Sequence, residues 1–208
     1  VDEYRQRGET DTPSYGFALN VLGGFLTESG KLAEADAALI EAGTIFAKYL
    51  SPTNLWIGDN LRNQAISLEL QGKYDLAIEK ADAAARMYQE NFGKHYDNYP
   101  TVLIAKGLSL ANSGRAKDAE PLLTEALQLR TSSLPPSHFW VAAAKGALGE
   151  CLALQKRYDE AEPLLRSSVE SLLASQESTS PRLLIARKRL ASLYANMGKN
   201  DLAAQFQN

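Results

Sequence analysis

Along most of the chain, apolar residues recur three and four positions apart, the period of an amphipathic helix rather than the alternation of a strand. Leu103, Ala105, Leu108 and Leu110 form one such run, and Ala119, Leu122, Leu123, Ala126, Leu127 and Leu129 form the next. Between them stands Ser113-Gly114-Arg115. Glycine reaches left-handed backbone at little cost and ends helices. The pattern therefore predicts a helix, a tight turn and an antiparallel helix. The unit recurs: from Gly30, steps of 42 residues reach Gly72, Gly114, Lys156 and Gly198. Each turn residue is followed by a basic one, Lys31, Lys73, Arg115, Arg157 and Lys199. Five residues after each turn stands an alanine: Ala35, Ala77, Ala119, Ala161 and Ala203. Seven before it the residue is small, at Gly23, Ala65, Gly107, Gly149 and Ala191. Four before it the residue is large and apolar: Leu26, Leu68, Leu110, Leu152 and Tyr194. Columns that agree over five copies without a gap establish an internal repeat.

The column chemistry says how each copy packs. The basic residue suits the negative end of the preceding helix dipole. The small and alanine columns face each other inside the hairpin, so a large side chain at Gly107 or Ala119 overpacks it. Thr12-Pro13 and Ser180-Pro181 read as N-caps followed by first-turn prolines, with Thr53 and Ser137 as caps of the equivalent helices. Pro121 and Pro163 are expected near the start of second helices, where a missing N–H leaves no bond unmade. The predicted fold is all-α, a solenoid of about five antiparallel helix pairs. A lead-in of residues 1–11 precedes a single array over 12–208. Its copies run about 12–53, 54–95, 96–137, 138–179 and 180–208, the last truncated or capping. Gln205, Gln207 and Asn208 give that end the polar outer face a solenoid cap needs.

A small residue followed twelve positions later by alanine, across a glycine turn, resembles the tetratricopeptide repeat, whose usual period is about 34 residues. The additional length is about one more turn on each helix, and this longer form is similar to the repeats of kinesin light chain and to arrays common in bacterial proteins. GKYDLAIEKADAAARMYQENFGKHYDN, KRYDEAEPLLRSSVESLL and LPPSHFWVA carry the likeness. HEAT repeats share a similar period but lack paired small columns around a glycine turn. Two departures stand out: Lys156 replaces the turn glycine, and the first-helix aromatic of the family is mostly leucine here. The resemblance implies a right-handed superhelical array whose first helices line a concave surface holding extended or helical peptides.

On that implication the groove-side positions are Phe17 and Asn20 in the first copy and Asp59, Arg62, Asn63 and Ile66 in the second. Thr101, Ile104 and Leu108 follow, then Ala143, Gly146 and Glu150, then Lys188, Arg189 and Ser192. These positions are expected to be exposed and to vary between copies. The groove reads as polar and basic at its ends and apolar in the middle, suiting a short peptide with a hydrophobic anchor and an acidic group. Asn20, Arg62 and Asn63 resemble only part of the carboxylate clamp of chaperone-tail binders. Only Asn63 falls in the column where kinesin light chain repeats Asn-Asn. Neither binding mode is carried over.

Composition narrows the function classes. The 208 residues are 45% hydrophobic and 23% charged, with a formal net charge of −3. That balance lacks the basic footprint of a nucleic-acid binder. No apolar run reaches the roughly 18 residues of a membrane helix. A single cysteine, Cys151, excludes an intrachain disulfide, and its place beside Leu152 in the interior stripe marks a structural thiol. His95 and His138 lie between repeats without a second histidine or a cysteine at zinc-ligand spacing, and His95-x-Asp97 has no nucleophile to serve. Asp118-Glu120 and Asp159-Glu160 open second helices, where they suit the dipole. Gly23-Gly24 lies within a helix pattern and makes no phosphate loop. Trp56 and Trp140 are expected at inter-repeat corners and Tyr74 and Tyr158 at the turns. Tyr88, Phe92, Tyr96 and Tyr99 form the most aromatic stretch, either packing or an exposed contact. No catalytic residue, cofactor or metal is expected. The expected partner is a protein or peptide, with no nucleic acid and no membrane segment in this chain. With Val1 in place of Met, a processed or excised fragment is expected; a cytoplasmic setting is favoured, and an upstream signal or anchor stays open. The leading function is a binding scaffold, the interaction or sensor region of a larger bacterial protein such as a signalling kinase. Self-assembly, or regulation of an enzyme whose catalytic part lies outside the chain, are the alternatives. Partner and oligomeric state stay open.

Overall fold

The computed structural model describes residues 1–94, 96–175 and 180–206, and among them all regular secondary structure is helical, without a strand. The elements are α1 (Asp2–Arg7), α2 (Pro13–Glu28), α3 (Leu32–Tyr49), α4 (Leu55–Leu70), α5 (Tyr74–Phe92), α6 (Tyr99–Asn112), α7 (Ala116–Ser133), α8 (Phe139–Leu154), α9 (Tyr158–Ser175), α10 (Pro181–Asn196) and α11 (Asn200–Gln205). His95, and with it the His-x-Asp pair, and the cap residues Gln207 and Asn208 lie outside the described residues.

Every helix hairpin turns on the predicted residue. Gly30, Gly72, Gly114 and Gly198 take φ between 73° and 89°, and Lys156 takes φ 62° in the same left-handed region. The basic residue after each turn donates its backbone N–H to the large apolar residue of the preceding helix: Lys31 to the Leu26 carbonyl at 2.9 Å, Arg157 to Leu152 at 3.0 Å. Paired with the bond of shorter sequence span one residue earlier, such as Gly30 N–H to Thr27 at 3.1 Å, this is the Schellman arrangement that satisfies a helix's last carbonyls. The basic column thus caps through its backbone. Its side chains turn elsewhere: Lys73 reaches Asp36 at 3.8 Å, Arg157 reaches Glu120 at 2.7 Å and Lys199 reaches Glu162 at 3.9 Å. Each of those carboxylates sits on the second helix of the preceding copy.

Two expectations about helix starts are corrected. The caps are Asn54 and His138, not Thr53 and Ser137. Asn54 Oδ1 accepts the Trp56 N–H at 2.9 Å and His138 Nδ1 accepts the Trp140 N–H at 3.2 Å. Steps of 42 from Thr12, which caps α2 by accepting the Tyr15 N–H at 3.2 Å, pass through both. Pro121 and Pro163 stand in the second turn of α7 and α9, beyond the four N–H groups a helix start leaves free. Each therefore removes one helical hydrogen bond.

Contacts divide the chain into two compact units, Val1–Ser109 and Leu110–Asn208. In the first, α2 packs on α3, α4 on α5, and α3 on α4. The small column meets its facing helix as expected: a Cβ on Gly23 would lie 2.6 Å from Leu39. Tyr15, Leu19, Ala38, Ala42, Ile45 and Phe46 form a core that Trp56 and Tyr4 cover. The lead-in is ordered: Arg5 donates to the Tyr15 hydroxyl at 3.2 Å, and Asp11 accepts from Lys48 and from the Tyr49 hydroxyl. In the second unit α8 packs on α7 and α9, and α10 on α9, α11 and α8. There a Cβ on Gly149 would lie 2.7 Å from Leu165, itself fully buried. Burying a leucine side chain contributes about 1.5–3 kcal/mol.

Candidate functional site

The tight pairing of first and second helices leaves one face of each first helix outside the hairpin, and the expected groove residues fall there unevenly. In the first unit, Phe17 is 43% exposed, with its ring 5.0 Å from Trp56. Asn20, expected to be exposed, is buried at 4%. Its Oδ1 accepts from Asn60 and from Asn63, each at 3.2 Å, while Asn60 also donates to the Leu39 carbonyl at 2.9 Å. Buried amides must find partners, and these asparagines find one another. Arg62 donates to Asp59 at 3.1 Å and to the Asn63 side-chain oxygen. The Asp59 Oδ1 also accepts from the Tyr88 hydroxyl and from Asn98, both at 2.8 Å. Burial pushes the Tyr88 hydroxyl far up from its ordinary value, so it stays a donor. Asn20, Asp59, Arg62 and Asn63 are therefore joined in one polar network. Ile66 and Ile104 are half-buried, and Leu108, expected on the groove, is in the core at 5% exposure.

In the second unit Arg189 donates to Glu150 at 2.5 Å between α10 and α8. Lys188 is exposed and lines a pocket of about 440 Å³ with Leu184, Ala191, Ser192 and Phe206. Lys145 donates to Ser167 at 2.9 Å. The cations expected to meet an acidic ligand are thus mostly engaged with the protein's own acceptors, and Arg62 and Arg189 each already hold a carboxylate. Two exposed first-helix residues belong with the expected set: Val21 at 40% and Ile185 at 42%. Val21 shares its repeat column with Asn63 and Ile185 shares one with Phe17, so extending the chosen columns would have reached both.

The other candidate chemistry resolves into packing. Cys151 is fully buried against the Ala116 carbonyl, and burial pushes its thiol up, away from the thiolate a nucleophile requires. His138 caps α8 and stacks on Phe139. Trp140 lies under the Arg130 guanidinium at 4.2 Å. Of the aromatic stretch, Tyr88 and Tyr99 are buried, Tyr96 packs on Tyr88, and Phe92 is 44% exposed. Among the described residues no group of three or more His, Cys, Asp or Glu is placed to hold a metal ion, and no helix is long and apolar enough to cross a membrane.

The sequence model of the tetratricopeptide repeat matches residues 15–90, 57–132, 98–174 and 140–208. No curated protein matches the chain. Among solved structures, a Podosopora anserina protein with nearly identical TPR-like repeats of kinesin light chain type is similar over 93% of this chain and 92% of its own, at 18% identity and TM-score 0.66. BtubC (BKLC) from P. vanneervenii is 18% identical over 99% of this chain and 83% of its own, TM-score 0.69. A Rap protein complexed with competence and sporulation factor is 15% identical with TM-score 0.80; the match spans 94% of this chain and 53% of that one.

Proposed function

The chain belongs to the tetratricopeptide repeat family, and from that premise we propose that it is a protein- or peptide-binding scaffold whose ligand lies along the free faces of the first helices. The observation that carries the reading is the exposure of large apolar side chains there, Phe17, Val21 and Ile185, on helices whose opposite faces are closely packed. Phe17 and Val21, one helical turn apart on α2, are neighbours on one face, and contiguous exposed apolar groups mark interaction surfaces. The Rap protein of the same fold, solved with competence and sporulation factor, supports a ligand-holding use of such an array.

The test compares first-helix with second-helix faces. Phe17→Glu and Ile185→Glu are made singly, beside Leu173→Glu on the exposed side of α9, and each purified chain is used to capture partners from its native extract. Loss of the same partner by a first-helix variant, with Leu173→Glu unchanged, supports the reading. Partners kept by both first-helix variants and lost by Leu173→Glu overturn it.

A further inference from the structure

Six glycines lie inside α2, α4 and α8, and five are held there by packing. A Cβ at Gly16, Gly23, Gly58, Gly146 or Gly149 would come within 2.6–3.0 Å of a neighbouring side chain. Gly24 is the exception: its Cβ would meet only the Asn63 amide, at 3.6 Å, an ordinary contact. A mid-helix glycine weakens its helix relative to alanine, so Gly24 carries that cost without a packing need. It lies on one face of α2 with Phe17 and Val21, across from Asn63 of α4, where Ile66 holds the same repeat column as Gly24. The result is a bare stretch of backbone, flanked by exposed aromatic and aliphatic side chains, beside the Asn63 end of the polar network. Such a floor receives a bulky apolar side chain, and the one cation beside it, Arg62, already holds the Asp59 carboxylate.

Charge selects the rest of the ligand. The only charged residue of α2 is Glu28; α4 carries Asp59, Arg62 and Glu69; and α6, as far as Ser109, carries Lys106. Both cations are already bound, Arg62 to Asp59 at 3.1 Å and Lys106 to Asp82 at 2.6 Å. Val1–Ser109 holds fifteen Asp and Glu against ten Lys and Arg. On α2 and α4 an anionic ligand would meet only Arg62, with Asp59 beside it, whereas a cationic one joins a field of its opposite sign.

We propose that the α2–α4 face takes a cationic peptide segment with one bulky apolar side chain, which lies on Gly24 between Phe17, Val21 and Ile66. The inference rests on the ligand-binding reading and reverses the ligand charge expected for this part of the array. Its test is selection of a phage-displayed random peptide library on the full chain and, in parallel, on Gly24→Leu, which fills the floor with a helix-favouring residue. Peptides enriched on the wild type alone should be net positive and share an aromatic or leucine. Synthesised with a fluorescent label, the consensus should bind Gly24→Leu at least about tenfold more weakly by anisotropy, while thermal melting shows the variant folded. Net-acidic consensus peptides, or equal affinity for a folded Gly24→Leu, overturn the inference and leave peptide binding standing. Absence of any enriched sequence on the wild type removes peptide binding itself, and this inference with it. If Gly24→Leu fails to fold, Gly24→Ala replaces it, with the same weakening expected.

Discussion

Replacing Lys156 by glycine should stabilise the protein, although it removes a side chain and adds backbone freedom. Lys156 holds φ 62° where its four sister turns hold glycine. In that region a Cβ crowds the following carbonyl at a cost of about 1–2 kcal/mol. Glycine removes the crowding but enlarges the unfolded ensemble, a loss of about 0.4–1 kcal/mol. The two hydrogen bonds of the turn, Lys156 N–H to Ala153 at 2.9 Å and Arg157 N–H to Leu152 at 3.0 Å, are made by the backbone and survive the change. The side chain itself is exposed. The balance is a gain of about 0.5–1 kcal/mol, or about 1–4 °C in melting temperature for a chain of this length. Urea denaturation should show a higher midpoint with an unchanged slope. Lys156→Ala is the control, since it keeps the Cβ and should gain nothing. If alanine stabilises as much as glycine, or glycine lowers the midpoint, left-handed strain is not what distinguishes this turn.

Other outcomes follow from single contacts. Gly149→Ala should cost about 1–3 kcal/mol, because its Cβ would lie 2.7 Å from Leu165. The same change at Gly24 should stabilise by about 0.5–1 kcal/mol, so opposite shifts in denaturation midpoint check both. Asn54→Ala should lose about 0.5–2 kcal/mol with the α4 cap, and a melt no lower than wild type would remove Asn54 from that role. Tyr88→Phe leaves Asp59 one donor short and should cost about 1.5–3 kcal/mol, the range for bonds to charged groups. Hydrogen bonds from Arg157, then Gln155, hold the Glu120 carboxyl below its ordinary value of 4.5. A carboxyl so depressed binds its proton more weakly folded than unfolded. Its contribution is complete above about pH 4.5 and is lost as the pH falls through the folded value. The melting-temperature gap between wild type and Arg157→Met should accordingly narrow on acidification from pH 7; a gap of constant width would show that the pair does not act through charge.

The helix hairpins were legible because they depend on residue size at fixed spacing. Gly23 against Leu39 and Gly149 against Leu165 are contacts that only small residues allow, so size repeats down the column. The free faces were less legible because a side chain there answers to neighbours brought close by folding. Asn20 reads as a surface residue until Asn60, forty positions later, donates to it in the interior. Leu108 is submerged in the core. Arg62 and Arg189 read as ligand-seeking cations, but Asp59 and Glu150 reach them first, and for Arg189 the pairing needs two helices packed side by side. The cap register failed for a local reason: Thr53 and Ser137 have the right chemistry, but the residue after each aligns with Thr12.

The turn cations set how the repeat behaves under duplication. Lys73, Arg157 and Lys199 each reach a carboxylate exactly one copy back, while the backbone bonds of the turn stay within their own hairpin. No link described there spans more than adjacent copies, as in other nearest-neighbour arrays. A gene that gains or loses one whole 42-residue copy in register rejoins equivalent backbone caps, and regains the ion pair wherever the copy before the turn carries the carboxylate, which the second copy, with Ile78 in that column, does not. Number of copies becomes heritable variation that needs no compensating change in the backbone caps of the hairpins, while the free faces of the first helices diverge independently.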